Sequence, residues 1–304
     1  MRNYRLIENS MWKEKHPERK ARWPAGVRLP IMVSVHHQSE EAPCPLPDGQ
    51  PDPFDFSERQ YGGRRGAWRL LEVLAKHEIK ATWFICGATA RRYPQISRAA
   101  KAAGHCIAGH GYHHEFMCNL PPQAELQVIK KTVAAFQDVI GEQLKGWRTC
   151  FPSHNTLDIL LEHFHFDWDC SRRNDDKPYI IQGHGRDIVE IPFIYDADSS
   201  LSVRITSPQP PNSSNTWDCN PPEFTLRAMK AWFDALYESG SERPLMLPLT
   251  VHDFITGRPS RAKALDDFLS YAQQFPGAIF TTHDELASWW RSNYEGHELD
   301  EGAK

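Results

Sequence analysis

The sequence predicts an α/β fold on a parallel sheet and, from a count of seven or so strand–helix units, a barrel rather than an open sheet. Three observations carry this expectation. Short apolar runs rich in β-branched residues alternate with segments of helical period along most of the chain. The connections are long enough for parallel crossovers. The polar residues suited to chemistry fall where strands give way to loops, the place where α/β barrels build their sites. The 304 residues, 40% hydrophobic and 24% charged, suffice for one such domain.

Residues 1–27 read as an N-terminal arm, with a Trp-Pro-x-Gly turn signal at Trp23 to Gly26. "RLPIMVSVHH" (28–37) is a strand, apolar and then polar at its end. "EAPCPLPDGQPDPFDF" (41–56) is Pro- and Asp-rich and reads as a substrate-facing loop. "RRGAWRLLEVLAKHEI" (64–79) has helical spacing and leads into the strand "KATWFICG". "RRYPQISRAAKAAGH" is a helix closed by Gly104, and "HCIAGHG" is a third short strand. "PPQAELQVIKKTVAAFQDVIG" (121–141) is the clearest helix, opened by prolines and closed by glycine. "LKGWRTCF" follows as a strand, "NTLDILLEHFHF" as a helix and "DWDCS" as a strand end. "DIVEIPFIY" and "LMLPLTVHDF" are strands, "TLRAMKAWFDALYESG" and "RAKALDDFLSYAQQF" are helices, and "GAIFTTHDELASWWR" is a strand passing into a helix. The barrel domain is placed at 28–292 and a polar tail at 293–304.

Composition narrows the function classes. The net charge is −4 and no basic run is interleaved with aromatics, so no nucleic-acid partner is expected. No apolar stretch approaches the ~18 residues that span a bilayer. The first residues are polar and lack the apolar run of a secretory leader. The seven cysteines are odd in number and show neither CxxC nor zinc-finger spacing. They read as reduced thiols of a cytoplasmic protein.

The chemistry-bearing residues then stand out. His36 and Gln38 share one face by period-two alternation. His110 and His114, four apart in "CIAGHGYHHEFM", follow a Gly-rich strand end, with His113 expected to point elsewhere. Their spacing suits a shared divalent metal, and imidazoles equally suit proton transfer near neutral pH. Arg148 in an apolar strand needs a carboxylate or a substrate oxygen. Asp175 and Asp176 follow "DWDCS", and His252 closes "LPLTVH".

The order of segments resembles the polysaccharide deacetylase (NodB-homology) superfamily, in particular its intracellular peptidoglycan deacetylase-like, allantoinase and cyclic imide hydrolase branch. The matching stretches include "YGGRRGAWRLLEVLAKHEIKATWFICG" (61–87), "YPQISRAAKAAGHCIAGHGYHHE" (93–115), "GWRTCFPSHNTLDILLEHFHFDWDCS" (146–171), "DDKPY" (175–179), "EIPFIYDAD" (190–198), "LTVHDFITGRPSRAKALDDFL" (249–269) and "THDELASWW" (282–290). The resemblance implies a distorted, incomplete barrel and hydrolysis of a non-peptide C–N bond. It implies that His110 and His114 bind a divalent metal, that Arg148 orients a catalytic carboxylate, and that His252 is the general acid.

One motif departs from that pattern. Where deacetylases of the family carry two aspartates two apart, this chain, aligned on Glu40, has His36 and Gln38. His36 is then either the third metal ligand, with Gln38 the alternative, or the base of a metal-free site, and Glu40 is a further candidate base. Zinc is the expected ion for a histidine-rich site. Trp217, Asp176 and Tyr179 are candidates for substrate contact. The expected activity is ring opening of a small cyclic amide, imide or ureide by water attack on the carbonyl. Deacetylation of an N-acetylated sugar or small N-acyl compound, and ligand binding without turnover, are the alternatives. Relatives assemble as dimers or tetramers, so a homo-oligomer is expected.

Overall fold

The computed structural model describes residues 12–14, 23–41, 46, 48–199, 203–204, 218–240 and 244–294. The strands are β1 (Trp12–Glu14), β2 (Leu29–His37), β3 (Thr82–Ile85), β4 (Cys106–Gly109), β5 (Gly146–Trp147), β6 (Trp168–Asp169), β7 (Tyr179–Gly183), β8 (Arg186–Glu190), β9 (Val203–Arg204), β10 (Asp218–Cys219), β11 (Leu247–His252) and β12 (Ala278–Phe280). The α-helices are α1 (Pro53–Tyr61), α2 (Ala67–Lys76), α3 (Gly87–Arg92), α4 (Pro94–Ala102), α5 (Pro122–Ile140), α6 (Thr156–His163), α7 (Pro222–Ser239), α8 (Pro259–Ala272) and α9 (His283–Tyr294).

Ten strands form one curled sheet in the order β1-β7-β8-β6-β5-β4-β3-β2-β11, with β12 pairing β2. Parallel pairings join eight of them, so the parallel half-barrel expected from the sequence is present with one strand more than the seven or so counted there. No strand ladder joins β11 to the far edge among the described residues. A single parallel bridge, Asp198 to Thr250, brings the segment after β8 against β11. This leaves the barrel incomplete and sets Asp198 and Ser199 beside the end of β11.

Strand alternation sorts the core into two sides. Val33, Val35, Trp83 and Trp147 face outward into the larger cluster, packed against the helices. Met32, Phe84, Ala108, Trp168 and Met246 fill the inside of the half-barrel. His36 lies on this inner side, with its ring 5.3 Å from that of Phe84.

Local chemistry explains most element boundaries. Pro122 sits in the first turn of α5, and Gly141 closes it at φ 71°, a conformation glycine adopts without strain. The expected loop over 41–56 is shorter, because Asp52 accepts the Phe54 N–H and so caps α1, which begins at Pro53. The "LKGWRTCF" strand shrinks to Gly146–Trp147. The hairpin β7–β8 was not expected. Its two-residue turn, His184 (φ 51°) and Gly185 (φ 70°), has the double positive φ of a type I′ turn, and "QGHGR" was the readable signal. Residues 12–14 of the arm form an antiparallel edge strand on β7.

Candidate active site

Four imidazoles and one guanidinium meet at the carboxyl ends of neighbouring strands. In the ladder His252 lies directly opposite His36, and the two rings are 4.8 Å apart. His110 follows β4, and its ring is 4.6 Å from that of His36 and 4.8 Å from that of His114. Arg148 follows β5, where its N–H is bonded to the Gly109 carbonyl.

His110 and His114 do not share a helix face. Gly111 (φ 73°) and His114 (φ 60°) make the connecting segment a turn, held by the Glu115 carboxylate, which accepts the Tyr112 N–H at 2.8 Å. A histidine at positive φ is uncommon and stores some strain, and such positions cluster at functional sites. His113 turns away and pairs with Glu41 at 2.7 Å.

Gln38 organises the imidazoles. Its Nε2 lies 3.1 Å from His110 Nε2, 3.0 Å from His114 Nε2 and 3.3 Å from His36 Nδ1. An amide nitrogen has two protons, so the two shorter contacts are donated bonds and the third is the weakest. His110 donates its other nitrogen, Nδ1, to the Arg148 carbonyl at 3.0 Å, which fixes its tautomer with Nε2 as acceptor.

The expected zinc centre is therefore corrected. The amide of Gln38 fills the point at which the ring nitrogens converge, and it bonds to them instead of leaving their lone pairs for an ion. Among the described residues, no group of three or more histidine, cysteine, aspartate or glutamate side chains is arranged to hold a metal ion. His36 as third ligand, with Gln38 as the alternative, does not assemble into one. The side chains present do not fit a metal, and the mechanism routes no step through one.

The electrostatics differ around the ring of imidazoles. Burial, and next the charge of Arg148, hold His36 well below its ordinary pKa. Burial, then the neighbouring His114, do the same for His110. Burial and then Arg59 hold His114 at about 3. His252 is lowered by burial, but the carboxylates of Asp198 and Asp253 oppose that shift. Its Nδ1 is 3.1 Å from Ser199 Oγ and 3.5 Å from the Asp198 carboxylate. At neutral pH all four rings are uncharged. His36 faces a cation, and His252 faces an anion.

The other candidates are spread more widely. Glu40 accepts from the Tyr93 hydroxyl at 3.1 and 3.2 Å and pairs with Arg92 at 2.8 Å. Burial would raise its pKa, but the Ser39 hydroxyl, its own backbone N–H and Arg92 outweigh burial and hold the carboxyl below its usual range. Asp176 sits exposed on a turn that Asp175 caps. Tyr179 is buried in the outer core, with its hydroxyl on Asn174 at 2.8 Å. Trp217 lies outside the described residues.

Several contributors were not singled out in the sequence. Asp198 and Ser199 reach His252 only through the bridge to β11. His283, fully buried under the site, lies 3.7 Å from Cys170 Sγ, which in turn lies 3.7 Å from Arg148 Nη1. His37 and Asp253, each next in sequence to a site histidine, form a buried pair at 2.6 Å. The doublets "HH" and "HD" at two strand ends were the available signal for that pair.

An α/β half-barrel with its polar cluster at the carboxyl ends of the strands has the build of a barrel hydrolase. The sequence pattern of the polysaccharide deacetylase family matches residues 54–160. A peptidoglycan deacetylase of Helicobacter pylori is 24% identical over 265 residues, covering 79% of this chain and 88% of its own. A peptidoglycan deacetylase-like protein of Gibberella zeae is 27% identical over 266 residues, covering 77% of each. The crystal structure of an allantoinase superposes with a TM-score of 0.79 at 26% identity, covering 90% of this chain and 94% of the other. The chain is similar to the polysaccharide deacetylase (NodB-homology) superfamily, including its allantoinase-like and peptidoglycan deacetylase-like proteins. Among the described residues, no helix is long and apolar enough to cross a membrane.

Proposed function

We propose that this protein is a hydrolase that opens a small cyclic amide, imide or ureide by adding water across a C–N bond. The observation that carries the reading is the contrast between His36 and His252, neighbouring neutral imidazoles with opposite charges beside them. His36, kept uncharged next to Arg148, is free to accept the proton of the attacking water. As oxygen bonds to the carbonyl carbon, that proton passes to His36 and from there to His252, whose ring is 4.8 Å away. When the C–N bond breaks, the leaving nitrogen takes a proton back from His252, whose protonated form the Asp198 carboxylate stabilises. One proton in and one proton out leave the four rings neutral for the next turnover. Glu40, bound by Arg92 and Tyr93 and stabilised as the carboxylate, is the weaker base.

A site without a free carboxylate base suits a leaving group that departs easily. An imide or ureide nitrogen is such a group, and the amine of an N-acetyl sugar is not. A pooled reaction with hydantoin, dihydrouracil, succinimide, glutarimide, allantoin and N-acetylglucosamine oligomers, read by mass spectrometry, tests this. Gain of one water on a cyclic compound is the expected result. Loss of acetyl from an oligomer would replace the reading with a deacetylase. No change in any compound, with a cyclic compound bound, would leave a ligand-binding protein. Assembly as a dimer or tetramer and a cytoplasmic location remain part of the proposal, and size-exclusion chromatography with light scattering tests the first.

A further inference from the structure

Arg148 is 5% exposed, and among the described residues no carboxylate pairs with it. Its Nε has no hydrogen-bond partner among the described residues. Nη1 reaches the thiol of Cys170 at 3.7 Å, and the guanidinium carbon lies 3.7 Å from the centroid of the Phe193 ring. A thiol and an aromatic face recover part of the hydration that a buried guanidinium loses, but neither supplies the planar pair of oxygens that suits its fork of donors.

The nearby carboxylates are engaged elsewhere. Glu40 and Glu41 pair with Arg92, Asp55 with Arg59, Asp198 with His252, and Asp253 with His37. Glu190 accepts the Arg172 N–H and lies 3.8 Å from its guanidinium. The segments that continue from Glu41 and Ser199, residues 42–47 and 200–217, contain no aspartate or glutamate. Neither the described carboxylates nor these two segments supply the missing anion. Arg148 is also not aimed at a remote surface, because its carbonyl holds His110 and its charge is felt at His36, His110, His114 and His252.

We propose that Arg148 binds a carboxylate of the substrate, so that the compound opened is an anionic one: a small cyclic amide, imide or ureide bearing a carboxylate group beside its ring. This rests on the ring-opening reading and narrows it. The carboxylate fills the fork of Arg148 and turns the ring so that its carbonyl faces His36. Neutral rings lack that anchor. The tetrahedral oxyanion of the reaction appears only after binding, so it does not by itself make the resting protein prefer an anion.

The test is isothermal titration of the full chain with matched pairs: 5-oxoproline against 2-pyrrolidinone, and dihydroorotate against dihydrouracil. The carboxylate member of at least one pair is expected to bind tenfold or more tightly than its neutral partner. Arg148→Gln is expected to lose that preference, and Arg148→Lys to keep part of it. The comparison of the two ligands on the unchanged protein needs no variant, so it stands even if Arg148→Gln fails to fold. Equal or weaker binding of the carboxylate member in both pairs overturns the proposal, and so does a preference that survives in Arg148→Gln. Failure of the underlying reading is distinguishable: the carboxylates outbind their partners and depend on Arg148, yet no ring gains water. In that case the anion site stands and the ring-opening chemistry falls. Where neutral rings turn over and bind as tightly as their carboxylate partners, the ring-opening chemistry stands and the anion site falls.

Discussion

The two sides of the β2–β11 ladder carry nearly the same side chains and put them to different use. On the outer side His37 and Asp253 form a hydrogen-bonded pair at 2.6 Å, both fully buried, and Asp253 also accepts the Ser39 and Phe254 N–H groups. On the inner side, one residue earlier in each segment, His36 and His252 lie 4.8 Å apart with their rings tilted at 57° and Arg148 nearby. The outer histidine has its carboxylate in contact. The inner pair has one at 3.5 Å, aimed at His252 alone. A histidine bonded to a carboxylate braces two strands, whereas His36, with no carboxylate in contact, keeps a ring nitrogen for a proton. The alternation of the strands separates the two tasks by a single residue.

The largest expected effect comes from the inner side. His36→Asn removes the proton acceptor and is expected to lower kcat by about 10²- to 10⁴-fold, the usual worth of a general base. Its urea midpoint should stay close to that of the parent. Steady-state kinetics on the substrate found by mass spectrometry, beside an unfolding curve, checks both halves. A normal kcat in the variant would end the assignment of His36 as base.

The outer side should behave in the opposite way. Asp253→Ala strands His37 and two backbone N–H groups in the core, and each buried donor left unsatisfied costs about 1–3 kcal/mol. Chemical denaturation measures it. Gly66→Ala should be equally damaging, because the added Cβ would lie 1.9 Å from the Asp253 carbonyl oxygen. If Asp253→Ala were as stable as the parent, the contrast between a bracing face and a reactive face would fail.

Gln38 offers a third way to sharpen the contrast. The parent is expected to show no thermal response to zinc, since the amide bonds to His110 and His114 at 3.1 and 3.0 Å. Gln38→Asp replaces the donor with a carboxylate beside two imidazole acceptors. Zinc at 100 times its Kd would then stabilise that variant by about 2.7 kcal/mol, read as a rise in Tm. A zinc-dependent rise in the parent would mean that the amide yields its place to the ion.

How much of this was legible in the sequence follows from which signals are local. The strand–helix rhythm and the Gly141 stop could be read because each rests on spacing within one segment, and His36, Gln38, His110 and Arg148 stood out because each falls at or near a strand end. The β7–β8 hairpin was missed because its strands are five residues each and β8 reads as part of a longer apolar run. Asp198 and Ser199 could not be placed, since a single bridge to β11 decides their position. The zinc expectation failed for a related reason. His spacing reports which ligands are available, but the side chain that occupies their meeting point is set in three dimensions.

The smallest effect concerns pH. His114 and His283 are held at about 3, His114 by burial and then Arg59, His283 by burial and then Arg148, against 6.5 for an ordinary histidine. Between those values the unfolded chain binds protons at these positions and the folded chain does not. Stability therefore rises with pH across that window, is fully present above about 6.5, and drains away as pH falls toward 3. His283 is fully buried, with its ring 5.0 Å from that of Trp168 and 5.1 Å from that of Phe84. Replacing it with glutamine removes one titrating group, so the slope of stability against pH should fall by up to about 1.4 kcal/mol per pH unit inside the window. Urea unfolding at pH 7, 6, 5 and 4 for parent and variant gives the slopes directly, independent of any constant cost of the substitution. Parallel lines would mean that His283 is protonated in the folded protein, and the floor of the site would then carry a second positive charge beside Arg148.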